Sequence, residues 1–286
     1  MKLGVSTYCF AQNMQTGEMS ILDVIDCIAE IGGEHAEIVS GSGLKLAKSP
    51  DLVAAIKKKA SDRDLPLSNY AIGAQFAGLD DEAFEREIAR VKQEVDVAAE
   101  LGVKRMRHDV ASSADLSDGQ FAADLPRLVK ACREIADYAA PLGITTSVEN
   151  HGYYIQASAR VRELVQEVGR DNFRTTLDIG NFVCIDEEPV QAVGNNIALA
   201  SMVHVKDFYR RPADLDPGAG WFRSANGTYL RGAIVGQGDL NIRAALATVK
   251  HSGYDGDLSI EFEGLEPCVQ ATKIALDNAR RFWAEA

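Results

Sequence analysis

Cysteine is sparse and scattered in this sequence. The five are Cys9, Cys27, Cys132, Cys184 and Cys268, with no C-x-x-C spacing among them. An odd, dispersed set argues against a disulfide scaffold and reads as the reduced thiols of a cytoplasmic protein. No apolar run approaches the roughly 20 residues of a membrane helix, so no membrane partner is expected. The opening M-K-L-G-V-S-T-Y-C-F starts directly as a strand, without a charged leader and apolar stretch for export. Basic residues are outnumbered, 30 against 42 acidic, giving a formal net charge of −12. Such a surface repels phosphate backbones and disfavours a nucleic-acid partner. No G-x-G-x-x-G follows the first strand, which lowers a doubly wound dinucleotide-binding sheet. No Pro/Ser-rich linker or low-complexity stretch divides the chain.

What is present is a recurring junction of amphipathic helix, glycine and short apolar strand. Examples are A-A-E-L-G-V-K-R-M-R and A-A-P-L-G-I-T-T-S-V-E. Gly32, Gly102, Gly143, Gly169 and Gly253 stand where a helix needs a left-handed C-terminal cap. The strand runs are nearly continuous in apolar residues, as expected of parallel strands buried on both faces. The pattern predicts strands near 3–8, 34–39, 66–72, 103–107, 144–149, 173–178, 200–205 and 257–262. Helices are predicted near 20–31, 50–62, 81–101, 122–141, 157–168, 188–197, 239–252 and 268–284. Ser49-Pro50 reads as an N-cap followed by proline at the first helical position. Eight alternations predict a single α/β domain over 1–286, a (β/α)8 TIM barrel. A long irregular segment, about 206–238, follows the seventh strand and reads as a lid.

Four predicted strands end in a metal-binding side chain. They are T-T-S-V-E-N at Glu149, R-T-T-L-D-I-G-N at Asp178, S-M-V-H-V-K-D at His204 and D-L-S-I-E-F-E-G at Glu261. A carboxylate or imidazole ending an apolar run is costly unless a partner neutralises it. In a β/α barrel the C-terminal strand ends build the active site, and neighbouring ends converge. Strands five to eight therefore predict one divalent ion held by all four residues. The set is hard and oxygen-rich, which suits Mn²⁺ first, with Mg²⁺, Co²⁺ or Zn²⁺ as alternatives. Glu263 shares a face with Glu261 and is the alternative ligand.

The motifs E-N-H at 149–151, L-D-I-G-N at 177–181, H-V-K-D at 204–207 and S-I-E-F-E-G at 259–264 carry a resemblance over essentially the whole chain. The sequence resembles the xylose-isomerase-like barrels of the sugar phosphate isomerases and epimerases. Ketose 3-epimerases, hydroxypyruvate isomerase, inosose dehydratase and apurinic endonucleases are members of that group. The resemblance implies that Glu149, Asp178, His204 and Glu261 are the metal ligands. It implies that Glu149 and Glu261 are also the catalytic acid/base pair of an isomerase or epimerase of carbohydrate metabolism. Such an enzyme removes a proton beside a carbonyl and passes through a metal-stabilised enediolate. Its partner is a small-molecule sugar or sugar derivative, and relatives often form homo-oligomers.

The resemblance also suggests substrate-binding roles for Glu37 and for Arg210, six residues after His204. His108, His151 and Lys206 sit at or just past strand ends and are further candidates. Asp109, beside His108, reads alternatively as a helix cap. Within the predicted lid, Trp221, Phe222 and Tyr229 are placed to close over a sugar ring. Arg210, Arg211, Arg223 and Arg231 there offer charge for a phosphate or carboxylate. Two positions depart from the ketose 3-epimerases. Asn181 stands where they carry a histidine, and Ile155 where they carry a glutamate. Asn181 still donates a hydrogen bond to substrate, whereas Ile155 does not, which disfavours ketose 3-epimerisation itself.

The alternative is a metal-dependent lyase or dehydratase acting on a keto-sugar, keto-glycoside or inosose. The first proton abstraction is shared, and His151 or Lys206 serves as the leaving-group acid. An apurinic-endonuclease-like nuclease needs several additional histidines, and the chain has only five. A non-catalytic binding protein would be expected to carry a degraded ligand set, and this one is complete.

Overall fold

The computed structural model describes residues 2–41 and 44–286. Among these, β1 (Lys2–Ser6), β2 (Ala36–Val39), β3 (Leu67–Ile72), β4 (Arg105–His108), β5 (Thr145–Glu149), β6 (Phe173–Asp178) and β7 (Ala200–Val205) come first. Three shorter strands follow, β8 (Asp207–Arg211), β9 (Phe222–Arg223) and β10 (Tyr229–Ala233), and then β11 (Asp257–Ile260). The helices are α1 (Ala11–Thr16), α2 (Ile21–Glu30), α3 (Pro50–Asp62), α4 (Asp81–Leu101), α5 (Asp118–Ala139), α6 (Ser158–Val168), α7 (Pro189–Asn196), α8 (Ile242–His251) and α9 (Cys268–Glu285). Strands β1 to β7 and β11 close into a parallel barrel, with β11 between β7 and β1. This is the expected TIM barrel.

Helices α2 to α9 each lay one apolar stripe on the barrel wall. Val24 and Ile28 of α2, Val53 and Ile56 of α3, and Val91 and Val95 of α4 are buried there. Burying such a side chain stabilises by about 1.5–3 kcal/mol. The five predicted capping glycines all have positive φ, from 60° at Gly169 to 90° at Gly32. No helix among the described residues is long and apolar enough to cross a membrane.

The departures from the predicted boundaries have local causes. β1 stops at Ser6, whose hydroxyl accepts from Tyr8 N and starts a 3-10 turn leading into α1. β11 stops at Ile260 because Phe262 N turns away to Cys9 Sγ at 3.2 Å. α5 begins four residues early, since Ser117 caps it by accepting from Gln120 N. Ser49 makes no side-chain cap, although Pro50 does open α3.

The segment expected to be an irregular lid is largely ordered. β8, β10 and β9 form an antiparallel sheet in that order. Asp207 fastens it to the barrel by accepting from the backbone N–H of Phe208, Gly236, Gly238 and Leu240 at 2.8–3.3 Å. Arg211, Arg223 and Arg231 are engaged with aromatic rings on or beside the sheet. Arg223 lies 4.2 Å from the Tyr229 ring, Arg231 4.8 Å from Tyr209, and both Arg211 and Arg231 5.4 Å from Trp221. They are thus not aimed at an anion in the barrel mouth.

Candidate metal centre

The register of β5, β6, β7 and β11 sets the site. Asp178 pairs with His204 across β6 and β7, Glu149 pairs with Thr176, and Glu261 N bonds Val205 O just past the end of β11. One donor atom from each of Glu149, Asp178, His204 and Glu261 lies within 4.8 Å of all the others, and all four residues are buried. Gly180 of the L-D-I-G-N motif lets β6 and β7 approach here. A Cβ at that position would stand 2.8 Å from Lys206 O.

His204 tests how well the cluster fits a cation. Its Nε2 bonds the Glu37 carboxylate at 2.9–3.0 Å, and Asn69 holds Glu37 from behind at 2.7 Å. Its Nδ1 faces Glu261, Glu149 and Asp178 at 3.5, 3.6 and 3.8 Å and hydrogen-bonds to none of them. Asp178 Oδ2 is likewise buried without a hydrogen-bond partner. Oxygen and nitrogen donors about 2.1 Å from one ion stand roughly 3–4 Å apart, so this spacing fits a shared cation. Four buried carboxylates, Glu37, Glu149, Asp178 and Glu261, meet two largely buried cations, Arg107 and Lys206. With His204 neutral, as a ligand must be, the remainder of these six groups is two negative charges, which a divalent ion neutralises.

The titration behaviour expresses the same demand. Burial opposes a charge on His204, but Glu37, Glu261 and Glu149 outweigh it and hold the imidazole well above its usual value. Burial also pushes Asp178 up, to about 6, against Lys206 and with the help of Glu149 and Glu261. Glu149 is held well below the usual carboxylate range, because Arg107 and His204 more than offset its burial.

Glu149 and Glu261 also line a cavity of about 490 Å³ at the barrel mouth, which Asp178 and His204 do not. Lys206 lies in its wall, with Nζ 2.7 Å from Glu261 and 3.4 Å from Asp178. Asn181 donates to Glu149 Oε1 at 3.0 Å and accepts from Lys206 at 3.3 Å. His151 is half-exposed in the same wall and bonds Asp109 at 3.3 Å. That bond, with burial opposing and Glu149 adding, raises its affinity for a proton.

Other predicted residues stand elsewhere. Glu37 is buried beneath His204, outside the lining of this cavity, and is placed to orient the imidazole. His108 points outward, packed between Phe76 and Phe173. Arg210 is on β8 and Trp221 just precedes β9, both outside the cavity lining, whereas Phe222 of β9 lines it. Asp109 caps no helix and pairs with Arg107 and His151. Arg107 was missed. It reaches Glu149 Oε2 at 2.5 Å and lines the cavity. Strand alternation points to it, since β4 presents Arg105 and Arg107 to one face and His108 to the other. Asn150 was also missed. It exchanges two hydrogen bonds of 2.8 Å with the Asp178 backbone and locks the ends of β5 and β6 together.

Residues 25–284 match the model of the xylose isomerase-like TIM barrel family. The chain belongs to that family. No curated protein matches it significantly. Among solved structures, the probable 3-DHS dehydratase AsbF from Bacillus anthracis superposes with a TM-score of 0.74 at 19% identity, covering 97% of this chain and 98% of that one. The 3-keto-D-glucoside 4-epimerase YcjR from E. coli gives 0.73 at 18%, covering 98% and 99%. The IOLI protein, solved with a zinc atom bound, gives 0.74 at 18%, covering 100% and 97%. At these identities the likeness is one of fold. Family membership makes an enzyme of sugar-like small molecules the coarse assignment, and the buried cluster is competent to bind a metal ion.

Proposed function

We propose that this protein is a divalent-metal-dependent isomerase or epimerase of a sugar or sugar derivative, working through an enediolate. The observation that carries the reading is the division of the four donors. Asp178 and His204 are sealed beneath the cavity, while Glu149 and Glu261 belong to both the cluster and the cavity wall. An ion held there, Mn²⁺ by the hardness of the donors, would supply Lewis-acid polarisation of a carbonyl. The chain's own residues do the rest. Glu149 ends β5 and Glu261 follows β11, three strands apart in the barrel order, so a substrate carbon between them would meet a carboxylate on either side. One removes the proton and the other returns it. Arg107 keeps Glu149 ionised, and Lys206 holds Glu261 at 2.7 Å.

A lyase or dehydratase is the second reading, favoured by the buried Lys206 and the proton-retaining His151 in the same wall. Both are placed to protonate a leaving group. The deciding experiment is metal content by elemental analysis, with Glu149→Gln and Asp178→Asn alongside. One divalent ion per chain, lost in both variants, is expected. Deuterium uptake from solvent into a ketose, keto-glycoside or inosose is expected next. A new enone absorbance would mark the lyase. A folded, metal-exposed protein that binds no ion would sink both readings.

A further inference from the structure

The catalytic cavity has a larger neighbour. A second cavity of about 800 Å³ lies between the β1–α1 segment and the β11–α9 segment. The two cavities share Tyr8, Val39 and Glu263 in their walls. Tyr8 Oη donates to Glu263 Oε2 at 3.2 Å. That oxygen lies 3.6 Å from Lys206 Nζ, which is itself 2.7 Å from Glu261. The partition is therefore one hydrogen bond thick, and its inner side leads directly to the proposed acid/base carboxylate.

The outer chamber has its own chemistry. Glu18, Glu263 and Glu266 line it, with no Lys, Arg or His among the described lining residues. Glu266 Oε2 is buried without a hydrogen-bond partner, and its Oε1 lies 3.6 Å from Arg231 Nη2, which reaches it from outside the lining. Gln12 presents an exposed side-chain amide from α1. Leu265 and Val269 add apolar surface, 67% and 40% exposed. Acidic walls repel phosphates and carboxylates, whereas carboxylate oxygens accept from hydroxyls and an amide both donates and accepts. The apolar pair gives a ring's C–H face something to pack on. A concave site with few polar groups and apolar walls is the usual form of a small-molecule subsite.

We propose that the outer chamber is a second subsite, holding a neutral, hydroxyl-bearing ring joined to the keto sugar in the inner cavity. The substrate is then a neutral glycoside, not a free or phosphorylated sugar, and the glycosidic junction lies at Tyr8 and Glu263. This rests on the reading of the metal centre as a keto-sugar site.

The test is steady-state kinetics of the metal-replete full chain on a panel. It comprises keto sugars, their phenyl and glucosyl glycosides, and their phosphates. The expected result is a kcat/KM for a glycoside at least about 10-fold above that for its parent sugar and for the phosphate. In Gln12→Trp, which narrows the chamber, that ratio falls toward one. In Glu18→Lys, the phosphate gains relative to the glycoside by several-fold, since one charge repulsion is removed and one attraction added. A free or phosphorylated sugar as best substrate, or a ratio unmoved by Gln12→Trp, overturns the second subsite and leaves the metal-centre reading standing. Neither turnover nor solvent deuterium exchange on any member overturns both.

Discussion

At the scale of single residues, Glu37 has the most testable role. Its carboxylate fixes the His204 ring by accepting from Nε2, which commits Nδ1 to the cluster. Partners of this kind typically tune metal affinity by about 10–100-fold. Glu37→Gln is therefore expected to weaken metal binding by about that factor while the fold persists, measured by competition with a chelator. An unchanged affinity would show that Nδ1 needs no orienting partner. The four donors were legible in the sequence because each ends an apolar strand run, where a lone charge has no other reason to stand. Glu37 and Arg107 were harder to read. Glu37 lies inside its strand and points to the barrel interior, not to substrate. Arg107 is set by strand alternation, and the conspicuous neighbour His108 drew the assignment to the wrong face.

At the scale of elements, the helix–glycine–strand junctions are written locally and were read almost to the residue. The small sheet of β8, β9 and β10 was not. Its strands are short and rich in Arg, Gly and Tyr, and they gain stability from non-local ties that no local pattern announces. Asp186 is one such tie. It adopts a left-handed φ of 59° and accepts from Ser224 Oγ at 2.8 Å and Asn226 N at 2.9 Å, across about 40 residues of chain. Removing it leaves a backbone N–H and a hydroxyl without their acceptor, a cost of about 1–3 kcal/mol. Asp186→Ala is expected to speed amide exchange at Asn226 and Thr228 and to raise KM, since Phe222 on β9 lines the cavity. Metal content should stay unchanged. Loss of metal together with the sheet would mean that the two are one cooperative unit.

At the scale of the whole molecule, two buried groups far apart in role pull acid stability in opposite directions. Burial pushes His108 down from 6.5 to about 4. Its Nδ1 bonds Asp109 O at 2.8 Å, and its Nε2 is buried without a partner, so a second proton has nowhere to be solvated. A depressed histidine contributes stability that is present above pH 6.5 and is lost as pH falls through about 4. Asp207 has the opposite sign. Burial, opposed by its four backbone N–H donors, raises it from 3.8 to about 6. Its contribution is full below pH 3.8 and is lost as pH rises through about 6. Each swing is worth about 3 kcal/mol, so these two contributions oppose each other at similar size. The substitutions should separate them. Going from pH 7 to pH 4, His108→Phe is expected to gain about 3 kcal/mol relative to wild type, and Asp207→Asn to lose about as much. Urea unfolding at several pH values reads both slopes, whatever constant offset each substitution adds. Differences from wild type that do not vary with pH would show that neither group titrates across the folding transition.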